Sequence, residues 1–550
     1  MILRRVYLYL VSAASLVLLA AGLALLGGTI LQLVFTDVTA DSVRGALAIY
    51  TAMAVVALPV WAVHFWFARR FAMRDPYERA AALRRLYLYF ACLVMSIAAM
   101  VAITSTATQL LGPVFDARTF DPLPASQSGW AAIVFSGIWA FHFYIASTDR
   151  AAAGEQGASS TLRRWYMYVA LIVGLFAMLI GVATVLQVGL TRLALDASAQ
   201  GVSLAGPAGL AIGGTLLWGV HGRTIALHHI TEDRHTTLRA LEGFLSVAVC
   251  IAVALVGASQ ILYYLLARLV GISNPGGVGD NLLAGLAAPL SQLLVFGVAW
   301  FLLQRRLVRD AGTQEADRQA GIRRLYTNLA ALVSLAAWSV GAGGLLVTLA
   351  EQIEAPILGV PATDWKNPVT LYVTLLVVGL AVWVAHWRHS PWATDRQSLS
   401  RRLYVWAALL GSVLAAIGSG VGMINAVLQQ VFAANPKLDD PANLAFGRYL
   451  AIIMVAAGVG VYHWRVQRGD AATRPKKPVV KPAVVSAALV PATESHEDSA
   501  PVAEALGPRS RRYTLVVTDA TDDDVHQALS GLPPAAGYHL TPTEQTVDGR

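Results

Sequence analysis

The sequence predicts an all-α polytopic membrane protein: six tandem two-helix hairpin repeats giving 12 transmembrane helices, plus a small α+β cytoplasmic tail unit. Three features support this. The chain is 56% hydrophobic and only 13% charged. Apolar stretches long enough to cross a hydrocarbon core of roughly 30 Å recur along residues 1–465. Two short motifs return with a common period of about 80 residues. Inside lipid each backbone N–H and C=O must be satisfied internally, so apolar runs of this length are helices. The alternating apolar and polar pattern of barrel strands is absent.

The first motif opens the first helix of each hairpin. It reads RRVYLY at 4–9, RRLYLY at 84–89, RRWYMY at 163–168, RRLYTN at 323–328 and RRLYVW at 401–406. Its tyrosines are Tyr7, Tyr87, Tyr166, Tyr326 and Tyr404. One step between them is double, which places a further copy near 242, where Glu242 stands in the tyrosine position. The second motif closes the second helix as Trp-x-x-His: Trp61 with His64, Trp139 with His142, Trp218 with His221 and Trp383 with His386. The sixth copy keeps His463 but has Gly460 in place of tryptophan, and the fourth has Ala299 and Trp300 where the motif belongs. The fourth copy lacks both markers together, so tyrosine and histidine are expected to touch.

Helices are expected over 7–35, 44–68, 87–111, 128–148, 166–190, 207–228, 243–269, 282–304, 326–350, 368–388, 404–432 and 446–466. These form a membrane domain, 1–468, of six repeats at about 1–80, 81–159, 160–236, 237–319, 320–397 and 398–468. The first apolar run is too long for a cleavable signal, so it reads as a retained first helix. Lys and Arg crowd the loops on the side of the termini, whereas the opposite side holds Arg44, Arg118, Arg192, Arg268, Lys366, Lys437 and Arg448. That bias puts both termini in the cytoplasm of a bacterial inner membrane and gives all six copies one orientation. Parallel repeats about an axis near the membrane normal follow.

After residue 468 the character changes. Residues 469–507, rich in Pro, Ala, Val and Lys, read as a disordered linker. Residues 508–550 read as a small β-α-β-like unit: a strand over 512–519, a helix capped by Thr521 with Asp522 to Asp524 in its first turn, and a second strand near Tyr538 to Thr541.

No catalytic, nucleotide-binding or metal-binding signature is present, which leans against an enzyme. Cys92 and Cys250 lie inside apolar runs without a partner at metal spacing and read as small apolar fillers. His64, His142, His221, His386 and His463 share one depth, and paired imidazoles from facing helices are how bundles hold b-type haem. They nonetheless sit near the charged loops among Trp61, Trp66, Trp139, Trp383, Trp387 and Trp464, as an interfacial belt does. The expectation is therefore no cofactor, with haem as the alternative. The Arg-Arg pairs read as topology signals and snorkelling anchors, or as a site for anionic lipid headgroups. Gln32, Gln109, Gln187, Gln260 and Gln429 mark the outer ends of first helices, as interhelical hydrogen bonders or the lining of a vestibule.

The RRLYLY openings, the W-x-x-H-W closings and the period near 80 resemble a family of repetitive bacterial membrane proteins, known only as a domain of unknown function. The resemblance spans about residues 3–468. It implies tandem hairpins and carries no activity, cofactor or catalytic residue. The function expected is that of a non-catalytic scaffold, sensor or assembly protein. The alternatives are a transporter or channel for a small solute and a haem-bearing electron-transfer protein. The expected partners are the lipid bilayer, anionic headgroups and a protein bound through the tail; nucleic acid is not among them.

Overall fold

A computed structural model describes residues 2–195, 203–275, 281–311, 317–359, 361–387, 396, 398–432 and 441–472. Among them all regular structure is helical. In chain order the helices are α1 (Ile2–Phe35), α2 (Ala40–Arg74), the short α3 (Pro76–Ala80), α4 (Ala82–Phe115), α5 (Pro122–Ala153), α6 (Ala158–Leu195) and α7 (Ala205–His228). After these come the short α8 (Ile230–Asp233), then α9 (Thr237–Leu269), α10 (Leu282–Ala311), α11 (Asp317–Leu358), α12 (Lys366–Trp387), α13 (Leu399–Val431) and α14 (Pro441–Ala472). Eleven are long and apolar enough to cross a membrane, and α7 is the long helix that falls outside that number. The expected tail unit lies outside the described residues.

The first helices begin earlier than the apolar pattern predicts, at Ile2, Ala82, Ala158, Thr237, Asp317 and Leu399. The Arg-Arg-x-Tyr motif therefore lies inside each helix rather than before it. At 1.5 Å per residue the 34 residues of α4 extend about 51 Å, well beyond a core of roughly 30 Å, so the motif end projects past the hydrocarbon. Turn chemistry fixes the entries. Asp121 accepts from the amide of Leu123 at 3.0 Å with Pro122 next in line, and Asp75 does the same for Tyr77 ahead of α3. Gly154, at φ +69° and ψ −175°, ends α5 in an extended positive-φ conformation open essentially to glycine alone.

The helices pair as six successive hairpins: α1 with α2, α4 with α5, α6 with α7, α9 with α10, α11 with α12 and α13 with α14. A second rule joins the hairpins. Each first helix packs against the second helix of the next hairpin, as α1 does on α5, α4 on α7, α6 on α10, α9 on α12 and α11 on α14. First helices also touch their neighbours, α1 to α4, then on to α6, α9, α11 and α13. Second helices thus lie in grooves along a row of first helices, and each repeat leans mainly on its neighbours. The core follows the row in three clusters, around Leu88, Cys92 and Ala170, then Val247 and Cys250, then Ala331 and Ala408.

Glycine sets the closest approach, between α6 and α7. A Cβ on Gly174 would lie 2.5 Å from the backbone nitrogen of Trp218, and one on Gly181 would collide with the backbone of Ala211. Gly341 meets Leu376 of α12 in the same way, whereas Gly343, Gly418 and Gly420 face open space. Backbone contact leaves no room for a side chain. Gly181→Val is therefore expected to lower the melting temperature of the detergent-solubilised protein by several degrees, and Gly418→Val to leave it within error.

Candidate functional site

The hairpins meet at the motif end of the row, where α1, α4, α6, α11 and α13 begin and α2, α5, α7, α12 and α14 finish. There each motif tyrosine meets the motif histidine of its own hairpin. The Tyr Oη to His Nε2 distance is 3.2 Å for Tyr7 and His64, 3.0 Å for Tyr87 and His142, and 2.8 Å for Tyr166 and His221. It is 3.5 Å for Tyr326 and His386 and 2.9 Å for Tyr404 and His463. In all five rings Nδ1 lies within 2.7–2.9 Å of the carbonyl one turn earlier: Val60, Ile138, Leu217, Val382 and Val459. A carbonyl only accepts, so Nδ1 carries the hydrogen. The neutral ring then offers Nε2 as the acceptor, and the tyrosine hydroxyl donates to it.

The motif tryptophan reaches across to the next hairpin. Trp61 Nε1 donates to Tyr87 Oη at 3.0 Å, Trp139 to Tyr166 at 2.9 Å, and Trp383 to Tyr404 at 2.9 Å. Each completed unit is thus a relay of three polar groups over two repeats, tryptophan to tyrosine to histidine. Among the described residues no indole reaches Tyr7, and Tyr326 follows the copy that lacks the tryptophan. These two make the longest tyrosine–histidine contacts, as expected if a hydroxyl that accepts from an indole becomes the better donor. Tyr87, Tyr166, Tyr404, His142, His221 and His463 are buried, whereas Tyr7 is exposed.

In the fourth copy a different pair takes the place. Buried Glu242 forms an ion pair with Arg306 of α10 and accepts from Ser246 at 3.5 Å. Trp218, next to it in the row, packs between the first two core clusters.

A second set of contacts lies one layer further out, and the sequence reading missed its acidic half. Arginines at the start of the first helix pair with an acid in the last turns of the second helix of the same hairpin or just beyond it. Arg4 and Arg5 hold Glu78 at 2.6 and 2.8 Å, Arg84 holds Asp149 at 2.7 Å, and Arg163 and Arg164 hold Asp233 at 3.1 and 2.8 Å. Arg239 holds Asp310 at 2.8 Å and Arg401 holds Asp470 at 2.7 Å. Glu155 bridges two repeats, accepting from Arg163 at 2.8 Å and from Tyr89. Arg84, Arg85 and Arg163 are fully buried, so they clamp helices and do not snorkel. A missed signal existed: an acid stands about 65–75 residues after each of these arginines. Snorkelling does describe Arg70 over Trp66, Arg305 over Phe301 and Arg468 over Trp464.

The clamp acids outside the helical spans carry the electrostatic signature of pairing. Burial alone pushes the Glu78 carboxyl up, but Arg5 and Arg4 outweigh it and hold it below the usual range. Asp233 is likewise drawn down by Arg164 and Arg163 against the cost of burial. His229 sits beside this clamp, its Nε2 accepting from Arg150 at 3.3 Å. Burial, then Arg163 and Arg150, bring it down to about 3.

At the opposite end of the row, Asp116 gathers the start of α7 by accepting from the amide of Leu204 at 2.7 Å, Ser203 Oγ at 2.6 Å and Arg192 at 3.2 Å. Against its burial these donors lower its carboxyl to about 2. Cross-helix bonds there run from Gln127 and Trp130 of α5 to the carbonyls of Gly28 and Leu23. Of the expected glutamine set, Gln260 and Gln429 are exposed.

A family model described as a domain of unknown function (DUF5671) matches residues 5–137, 164–285, 244–334 and 324–458. No curated protein and no solved structure matches the chain.

Two outcomes test this site. Tyr166→Phe strands the indole N–H of Trp139 and the Nε2 of His221, at about 1–3 kcal/mol for each buried group left unpaired. It should lower the detergent melting temperature clearly more than Tyr7→Phe, whose site is exposed. The acid side separates by group. His229 is depressed, so the unfolded chain takes up its proton first and stability falls as pH drops below about 6.5. Asp233 is also depressed, but as an acid its contribution is complete above about pH 5 and is lost as pH falls through its folded value. His229→Gln should flatten the melting profile from about pH 6.5 downward, whereas Asp233→Asn should change it only below about pH 5.

Proposed function

The chain belongs to the DUF5671 family, a domain of unknown function, and we propose that it works as a non-catalytic scaffold, an integral membrane protein whose task is a fixed arrangement of helix ends. The observation behind this reading is that the marked side chains bond one another. Indole, phenol, imidazole, guanidinium and carboxylate at the motif end are joined within and between hairpins, in a way that stiffens the row. In the haem alternative, iron would have to displace a tyrosine from Nε2 while the carbonyl keeps Nδ1; this donor set suits a structural histidine better.

In this reading α7 is the twelfth span. Its glycines lower its hydropathy, yet Gly209 and Gly213 lie against Thr104, Thr108 and Met100 of α4, and Gly214 against α6. Its 24 residues extend about 36 Å, enough to cross. The six hairpins enter from the cytoplasm of a bacterial inner membrane, with both termini inside. The exposed arginines beside Trp66, Phe301 and Trp464 meet anionic headgroups, and residues 508–550 offer a protein-docking unit on the linker, which starts after α14 ends at Ala472 rather than at 469.

Reconstitution tests this. Liposomes carrying the purified protein should hold ion and small-solute gradients as well as empty ones, and the protein should show no Soret absorption. Saturable flux would favour the transporter reading. A Soret band lost in His142→Ala or His221→Ala would favour the haem one.

A further inference from the structure

The packing rule that joins the repeats is left half-made at each end of the row. Each first helix receives the second helix of the following hairpin, but among the described residues α13 receives none. Each second helix from α5 onward lies on the first helix of the preceding hairpin, but among the described residues α2 lies on no such helix. The residues concerned are apolar and bare.

Equivalent positions, aligned on the motif tyrosine, show this directly. Leu16, Ser96, Leu175 and Leu335 are 3–5% exposed, while their counterpart Val413 on α13 is 52% exposed. Ala20, Met100 and Leu179 are buried under the next hairpin, while Ile417 is 58% exposed. Val421, in the register of Thr104, is 64% exposed. At the other end, aligned on the motif histidine, Gly209, Thr374 and Ala451 are buried and Trp130, though exposed, bonds the carbonyl of Leu23 on α1, but Ala52 of α2 is exposed. Val56 is 58% exposed, while its counterpart Gly213 is buried against Thr104 and Met100. So α13 presents Val413, Ile417 and Val421, and α2 presents Ala52 and Val56. These are the two halves of a contact the chain already makes five times within itself.

We propose that a second copy of this chain fills the gap: α2 of one copy lies on α13 of the other, extending the row head to tail. The partner follows from continuity with the repeated internal contact. The faces differ, so the association is heterologous, and it propagates until the geometry closes a ring or the row ends. In the intact register, Val421 of one copy lies against Val56 of the next, as Thr104 lies against Gly213. The junction has no tryptophan bond, because Gly460 stands where the donor would be and Tyr7 is left without one. It is therefore weaker than the three internal junctions that carry such a bond, and sensitive to protein density in the bilayer.

The test uses full-length protein in lipid bilayers. Val421→Cys and Val56→Cys are made in separate chains and mixed before mild oxidation; the native Cys92 and Cys250 are buried. Crosslinked dimer is expected chiefly when both variants are present, at least fivefold above either alone. Ile417→Trp, on a face bare in the single chain, should keep the monomer's melting temperature and lower the crosslinked yield at least fivefold. Equal crosslinking by Val421→Cys alone would mean a symmetric dimer and overturn the proposal, as would a monomer at every protein-to-lipid ratio. Undiminished crosslinking in Ile417→Trp would place the contact elsewhere and overturn it too.

Discussion

A polar side chain at the edge of the hydrocarbon must find a partner in the protein, and the rest of this structure answers that requirement. Indole carries a donor, and phenol and neutral imidazole each carry a donor and an acceptor, that lipid cannot satisfy. Placed singly on three helices they would be liabilities. Placed at the ends of α2, α4 and α5, the side chains of Trp61, Tyr87 and His142 satisfy one another, and the helices must sit side by side for this to happen. Lipid tails are as apolar as leucine, so burial of apolar surface gives little preference for one neighbour over another. Directional bonds and glycine-permitted contacts supply that preference instead. The relay crosses from one hairpin to the next, so it fixes order as well as proximity.

The arginine–acid clamps extend the same logic outward. Arg84 with Asp149 and Arg163 with Asp233 close each hairpin beyond the relay, and Glu155 ties two hairpins together. Buried ion pairs are weak sources of stability, but losing one partner strands a charge, so they penalise mispairing. The fourth repeat shows that the pieces exchange as sets. It has lost tyrosine and tryptophan–histidine together, and Glu242 with Arg306 fills the space. The row is thereby divided: two relays lie in the first three repeats, one in the last two, and the fourth is held by packing around Val247 and Phe296.

Much of this was legible in the residues. The period near 80 and the paired loss of markers in the fourth copy foretell both the hairpins and the contact between Tyr166 and His221, because a bond between two positions leaves its trace when both go together. The crossing partner of the tyrosine was not foretold, because nothing in one hairpin's sequence says that Trp139 turns towards the following repeat. The acids were missed for another reason. Asp149 and Asp233 stand 65 and 70 residues after Arg84 and Arg163, one in a helix end and one in the short α8, so the spacing drifts and shows as a trend rather than a fixed period. Gly418 and Gly420 resemble Gly174 in sequence but face open space, whereas Gly174 abuts the backbone of Trp218 in its own hairpin, and nothing in the local residues tells the two cases apart.

The account rests on the hydrogen-bond direction in the relay, and nitrogen NMR of histidine-labelled full-length protein in lipid reads it directly. His142, His221 and His463 should be neutral, with the hydrogen on Nδ1 and an unprotonated, hydrogen-bonded Nε2. The Nε2 signal of His221 should move when Trp139 is replaced by Phe, two groups away in the preceding hairpin. Rings protonated at Nε2, or a His221 signal indifferent to Trp139, would contradict the relay and remove the basis on which the repeats are ordered.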